Sequence, residues 1–294
     1  MSQENYICKN FVDRSHSNLS PKLMRDIYYS SMQVYNFLNT IDLGIIYVDV
    51  RSNMKSEILL VCFFKHKIIE NLCHVMKGMV QYCSLYASIV GSEIYHHIDG
   101  NTYIYNYIDG YKIPISGSTS MQSNVRTIQH VHNIVQNNIP KDKLIFCNIY
   151  PNMINLEEVK NTKDIPIYFR MTVLLDDLLV TLSENKLSYP QNMIIHDPDC
   201  NLLVDFLLQN KRQYNLVLTR GRSKPCKISK NLMNIAREYL LSLTILSCEY
   251  EGLMNDIKIM GYTNNDIIKI TQMPEVFPDS SFVETLITLS NNQN

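Results

Sequence analysis

The sequence predicts a mixed α/β protein. Its N-terminal half is α+β with a β-meander, and its C-terminal half is a mostly parallel sheet flanked by helices. Three observations predict this. Two Asp-Gly pairs punctuate three tyrosine- and isoleucine-rich runs between residues 93 and 116. Beyond residue 143, short strand-like runs alternate with helix-like ones, the pattern of a parallel sheet with helical crossovers. The polar join NNIPKDK, residues 137–143, separates the two rhythms and sets expected regions of 1–140 and 141–294, either as two domains or as one continuous domain.

The elements follow in order. Ser20-Pro21 opens a helix, with Ser20 as N-cap and proline at the first helical position. Ile45–Val50 and Glu57–Phe64 read as an antiparallel pair across a short polar turn. Lys67 to Val90 carries apolar residues at helical spacing and is expected to be one long buried helix. EIYHHI-DG-NTYIYNYI-DG-YKIPIS reads as a three-stranded meander, since Asp-Gly suits a turn whose two central residues both need positive φ. A helix is expected over 120–136. The second half then reads as strand 144–150, a short helical segment near 154–161, strand 165–171, helix 173–186 and strand 192–196. Helix 200–210, strand 214–219, helix 229–248 and two short helices complete the chain.

The chain has 294 residues, a net charge of −1 and 46% hydrophobic residues, enough for a sizeable core. It has no apolar run long enough for a membrane span and no leader-like N-terminus, so a soluble cytoplasmic protein with no membrane partner is expected. Eight cysteines are widely spaced with no CxxC pair, which points to thiols rather than disulfides or zinc. Alanine occurs only at Ala87 and Ala236, while Asn, Ile and Tyr abound. That bias implies an AT-rich genome, of the kind carried by many insect and protist viruses and by some parasites and endosymbionts, and a viral protein is the expectation. P-loop, GxGxxG, GxSxG and HExxH motifs are all missing, which removes the motif-bearing forms of the commonest ATPases, dinucleotide enzymes, hydrolases and zinc proteases.

Two clusters could carry chemistry. His196-Asp197-Pro198-Asp199 follows an apolar run and precedes a helix. In an open α/β sheet, ligands bind outside the carboxyl ends of the strands. Asp197 and Asp199 could therefore hold Mg²⁺ or Mn²⁺, hard ions that prefer oxygen. The same residues also suit a turn with Asp199 as a helix cap. The second cluster is the loop 220–230, where Arg220, Arg222, Lys224, Lys227 and Lys230 occur without an acid. These five could clamp phosphate or contact nucleic acid, RNA rather than DNA, or could form a solvated turn. Asp49, on a strand, is a weaker third carboxylate. Tyr103, Tyr105 and Tyr107 share one face of a strand and suit either base stacking or sheet packing.

Three functions stay open on these residues. One is a viral intracellular protein that binds nucleic acid or phosphate through 220–230 and makes protein contacts or self-associates. Another is a metal-dependent phosphoryl-transfer enzyme or nuclease using Asp197 and Asp199. The third is a non-catalytic structural or assembly protein.

Overall fold

The computed structural model describes residues 45–53, 57–65, 83–92, 94–119, 127–157, 165–221, 227–276 and 283–290, with the single positions Tyr29, Met32, Asn36, Lys55 and Val159. The chain divides into two compact units, 1–126 and 127–294.

The first unit contains a four-stranded sheet in the order β1-β2-β3-β4. Strands β1 (Ile45–Ser52) and β2 (Ile58–Phe64) pair antiparallel as expected. All seven residues of β2 are buried, as befits a central strand. The long helix expected over 67–90 is corrected in its final third: Cys83–Ile89 is strand β3, parallel to β2. A short apolar run of this kind cannot be told from a helix by periodicity alone. Residues 66–82 and the expected opening helix at Ser20-Pro21 lie outside the described residues.

The meander is corrected as well. Strand β4 (Tyr95–Asp99) pairs with β3 rather than with its successor. Strands β5 (Ile104–Ile108) and β6 (Tyr111–Ile115) form a separate two-stranded hairpin. Only the second Asp-Gly builds the expected turn, with Asp109 at φ 50° and Gly110 at φ 82°. At the first pair Gly100 alone has positive φ, and the chain leaves the sheet there. Tyr105 and Tyr107 alternate with buried Ile104, Asn106 and Ile108, and Lys112 and Lys55 sit over their rings. Asp49 accepts a hydrogen bond from Arg51 Nε at 3.1 Å.

The second unit opens with helix α1 (Ile128–Asn138) and carries a seven-stranded sheet. Its parallel strands are β7 (Leu144–Cys147), β8 (Ile167–Phe169), β9 (Ile194–His196), β10 (Asn215–Arg220) and β11 (Ser242–Ser247). Helices α2 (Thr172–Glu184), α3 (Asn201–Gln209) and α4 (Lys230–Tyr239) make crossovers, and α5 (Tyr250–Ile259) follows β11. Strands β12 (Ile267–Met273) and β13 (Glu284–Ser290) complete the sheet. The spatial order is β9-β8-β7-β10-β11-β13-β12, with β13 antiparallel to both of its neighbours.

This mixed α/β architecture agrees with the fold class read from the sequence, and two elements in it are corrected. The run 229–248 is helix α4 followed at once by strand β11, and the two short helices expected near the end are α5 and a β12–β13 ribbon. The core explains the sheet. Leu203 and Leu207 of α3 and Leu232 and Ala236 of α4 are 1% exposed or less and pack in one cluster with Leu216, Leu218, Leu243 and Ile245. Each fully buried leucine contributes about 1.5–3 kcal/mol. The edge strand β12 exposes Ile268, Lys269 and Ile270, and its lysine discourages pairing with another chain.

Candidate functional site

The parallel strands end along one edge. The strand order reverses between β7 and β10, since β8 and β9 lie on one side and β10 and β11 on the other. Such a switch point is where open α/β sheets bind ligands. Leu218 pairs with Cys147, so the next residues, Thr219 and Asn148, flank that crevice. Asn148 turns the chain away from β7 in the left-handed region, φ 53°, a conformation that favours glycine and that asparagine tolerates. Asn148 Oδ1 and Thr219 Oγ1 are both buried without a hydrogen-bond partner. Buried polar atoms are nearly always paired, so two orphans next to each other at the ends of adjacent strands leave hydrogen-bonding capacity there for a polar ligand.

Two departures from a nucleotide-binding cradle stand beside this. No glycine occurs between Asn148 and Met153. Strand β8 is followed by Arg170, where a dinucleotide sheet usually carries an acid for the ribose hydroxyls. Arg170 Nε donates to the Pro198 carbonyl at 2.8 Å and its Nη1 donates to the Lys227 carbonyl. Under the crevice, Cys147 and Cys200 are buried in the same cluster. The hydrogen bond to Cys200, together with burial, holds the Cys147 thiol well above the ordinary range.

A second constellation lies further along the edge. Ser247 and Thr285 are the last pair of the β11–β13 ladder, so Cys248, just past β11, and Glu284, the first residue of β13, stand at the same end of it. Because β13 is antiparallel, its first residue stands where β11 ends. Glu284 is 5% exposed, and burial raises its carboxyl from the ordinary 4.5 to about 7. A carboxyl with that value can take and return a proton near neutral pH. Cys248 is half-buried and forms no disulfide. Beside it, Arg220 donates from Nη1 to Glu249 and from Nε to Asp256, each at 2.6 Å.

The residues singled out in the sequence are placed differently. Asp197 is buried, and its two oxygens accept the backbone N–H groups of Asn201 and Leu203, each at 2.9 Å. It is the anchor of α3, a role the sequence suggested for Asp199. The Asp199 carbonyl accepts from Ser229 Oγ at 2.8 Å. Among the described residues no group of three or more His, Cys, Asp or Glu side chains could hold a metal ion. Arg220 is 3% exposed and committed to its two acids. Lys227 and Lys230 are exposed, while Arg222 and Lys224 lie outside the described residues. Strands β9 and β10 are not neighbours, because β8 and β7 stand between them, but the loops that follow them meet through the Ser229–Asp199 bond and through Arg170, which donates to carbonyls of both.

Cys248, Glu284, Asn148 and Thr219 are the residues that sequence reasoning missed. The available signals were an acid inside the apolar run VETLITL and a cysteine immediately after the apolar run LTILS.

No protein family and no curated protein matches the sequence. Solved structures do match the fold. The tRNA (uracil-54, C5)-methyltransferase of Pyrococcus abyssi, in complex with S-adenosyl-L-homocysteine, superposes with a TM-score of 0.61 at 13% identity. The match covers 88% of this chain and 65% of that one, so this chain spans less than two thirds of the archaeal enzyme's length. A Streptococcus mutans protein classed with the SAM-dependent methyltransferases superposes with a TM-score of 0.51 at 8% identity, covering 93% of this chain and 83% of that one. The fold is therefore the Rossmann-like α/β fold that these methyltransferases share.

These likenesses, with the geometry above, overturn the expectation of a viral protein binding nucleic acid through 220–230, together with its metal-nuclease and assembly alternatives. Its fold is that of cellular methyltransferases from an archaeon and a bacterium. Its buried Arg220 is not presented to a phosphate, and the carboxylate of Asp197 is spent on a helix. No helix among the described residues is long and apolar enough to cross a membrane.

Proposed function

We propose that the chain is an S-adenosylmethionine-dependent methyltransferase acting on a pyrimidine ring carbon of RNA, with Cys248 as nucleophile and Glu284 as the proton acceptor. The observation that carries this reading is that Cys248, directly after β11, and the buried Glu284, at the start of the neighbouring β13, lie at the same end of the β11–β13 ladder, where the parallel strands end. The fold likeness to a tRNA uracil-C5 methyltransferase bound to the demethylated cofactor supports it.

The chemistry explains why both groups are needed. C5 of a uracil ring is a weak nucleophile. Addition of the Cys248 thiolate to C6 forms a C–S bond and shifts the C5–C6 π pair onto C5 and O4, which makes C5 nucleophilic. The orphaned polar atoms of Asn148 and Thr219 fit a nucleoside cofactor at the switch point, and these are the residues that would hold it. When bound, S-adenosylmethionine supplies an electrophilic methyl group. Glu284 as carboxylate then removes the C5 proton, the C5–H pair re-forms the C5–C6 double bond, and the thiolate leaves. A carboxyl titrating near 7 accepts that proton at neutral pH and can return it to solvent.

The test separates ring activation from methyl transfer. RNA carrying [5-³H]uridine is incubated with the protein without cofactor, and tritium released to water is counted. Addition at C6 lets C5 exchange its hydrogen with solvent, so release is expected. It should vanish in Cys248→Ala and fall on the order of 10²–10⁴-fold in Glu284→Gln. Labelled S-adenosylmethionine should then transfer its methyl group to the same RNA. A folded wild-type protein that releases no tritium, or release that survives in Cys248→Ala, sinks the reading.

A further inference from the structure

We infer that Arg220 is a positioning residue for Cys248, acting through Glu249 and Asp256 across a gap left by Gly252; this rests on the proposed role of Cys248. Arg220 ends β10, and its neighbour β11 delivers Cys248 and Glu249. The guanidinium donates in two directions: Nη1 to Glu249 Oε2 and Nε to Asp256 Oδ2, both at 2.6 Å. Glu249 directly follows Cys248, and Asp256 lies two turns into α5. One planar group thus fixes both ends of the segment that turns from strand to helix with the thiol at its start. The Ser247 hydroxyl, which accepts from the Glu249 N–H at 3.2 Å, tightens the same turn.

Gly252 makes this geometry possible. A Cβ there would lie 2.5 Å from Arg220 Nη2 and 2.9 Å from Glu249 Oε2. No such contact is tolerated, so any side chain at 252 displaces the guanidinium or the glutamate. The glycine serves close approach here rather than an unusual backbone angle. Arg220 is also deeply buried, its side chain 3% exposed, while Glu249 and Asp256 are 40% and 14% exposed. A guanidinium is the side chain suited to this task, since its donors diverge in a fixed plane, whereas a lysine ammonium is a single point on a flexible stem.

The experiment uses the full chain and three variants: Arg220→Lys, Gly252→Ala and Glu249→Gln. The first readout is the pH dependence of iodoacetamide alkylation at Cys248, followed by mass spectrometry of its peptide. The second is tritium release from [5-³H]uridine RNA, resolved into kcat and KM. The wild type sets the reference alkylation profile. In each variant that folds, the profile should depart from that reference. kcat should fall on the order of 10–100-fold with KM unchanged, the cost of a slightly misplaced reacting group.

Glu249 is the most exposed of the three acting groups, so Glu249→Gln keeps the test alive if the other two variants unfold. Unchanged alkylation profiles together with an unchanged kcat in the folded variants overturn the inference. Absence of tritium release from the wild type would instead count against the proposed function, while the alkylation profiles still decide the role of Arg220.

Discussion

Replacing Glu284 with glutamine should make the second unit more stable at pH 8 and leave it unchanged near pH 4. The carboxyl is 5% exposed, and burial lifts its pKa from 4.5 to about 7. Between those two values the folded chain keeps a proton that the unfolded chain has released. Stability therefore falls as pH rises through this window, and the loss is complete above the folded value. At about 1.4 kcal/mol per pH unit, the rise amounts to about 3 kcal/mol. Glutamine is neutral throughout and escapes the loss. For a unit of this size, about 3 kcal/mol corresponds to roughly 6–12 °C in melting temperature. Thermal unfolding of wild type and Glu284→Gln, followed by circular dichroism from pH 4 to pH 8.5, reads this directly. The two melting curves should converge at low pH and separate between about 5 and 7. Parallel curves across the whole range would refute the claim that burial alone keeps this acid protonated.

Two further outcomes follow from single side chains. Asp197→Asn removes the charge and one of the two acceptors that hold the N–H groups of Asn201 and Leu203. It should cost about 1–2 kcal/mol in chemical denaturation, and Mn²⁺ should restore none of it. Asn148 holds φ 53°, so Asn148→Val should cost about 1–2 kcal/mol while Asn148→Gly stays within about 1 kcal/mol of wild type. Equal losses in urea melts of those two variants would show that the bend is not what selects asparagine there.

The legible part of the fold was the alternation. Strands β7, β9 and β10 and helices α2 and α3 lie within a few residues of where their sequence runs place them, because turn formers separate them. Strand β11 was hidden because α4 passes into it through Leu240 and Leu241 alone. Both are apolar, and Leu241 N–H donates to Tyr214 O to join the sheet. No glycine or proline marks that break. The site was hidden for a different reason. Cys248 and Glu284 are separated by a helix and a strand, and only the insertion of β13 between β11 and β12 brings them together. No local spacing rule contains that pairing. At the switch point, asparagine makes the bend that a glycine motif would announce, in a chain with only nine glycines. His196–Asp199 and 220–230 drew attention because charge is easy to see, but in both the buried charged groups are consumed by structure.

The placement of β13 also sets an order of assembly. Strands β11 and β12 come first in the chain, yet they do not touch; each waits for a strand that follows them both. During synthesis, which delivers the earlier segments first, both would present open hydrogen-bonding edges until residues 284–290 arrive. The same strand brings the buried carboxylate. A nascent chain stopped short of it therefore lacks both the strand that closes the sheet and the buried Glu284 that it carries.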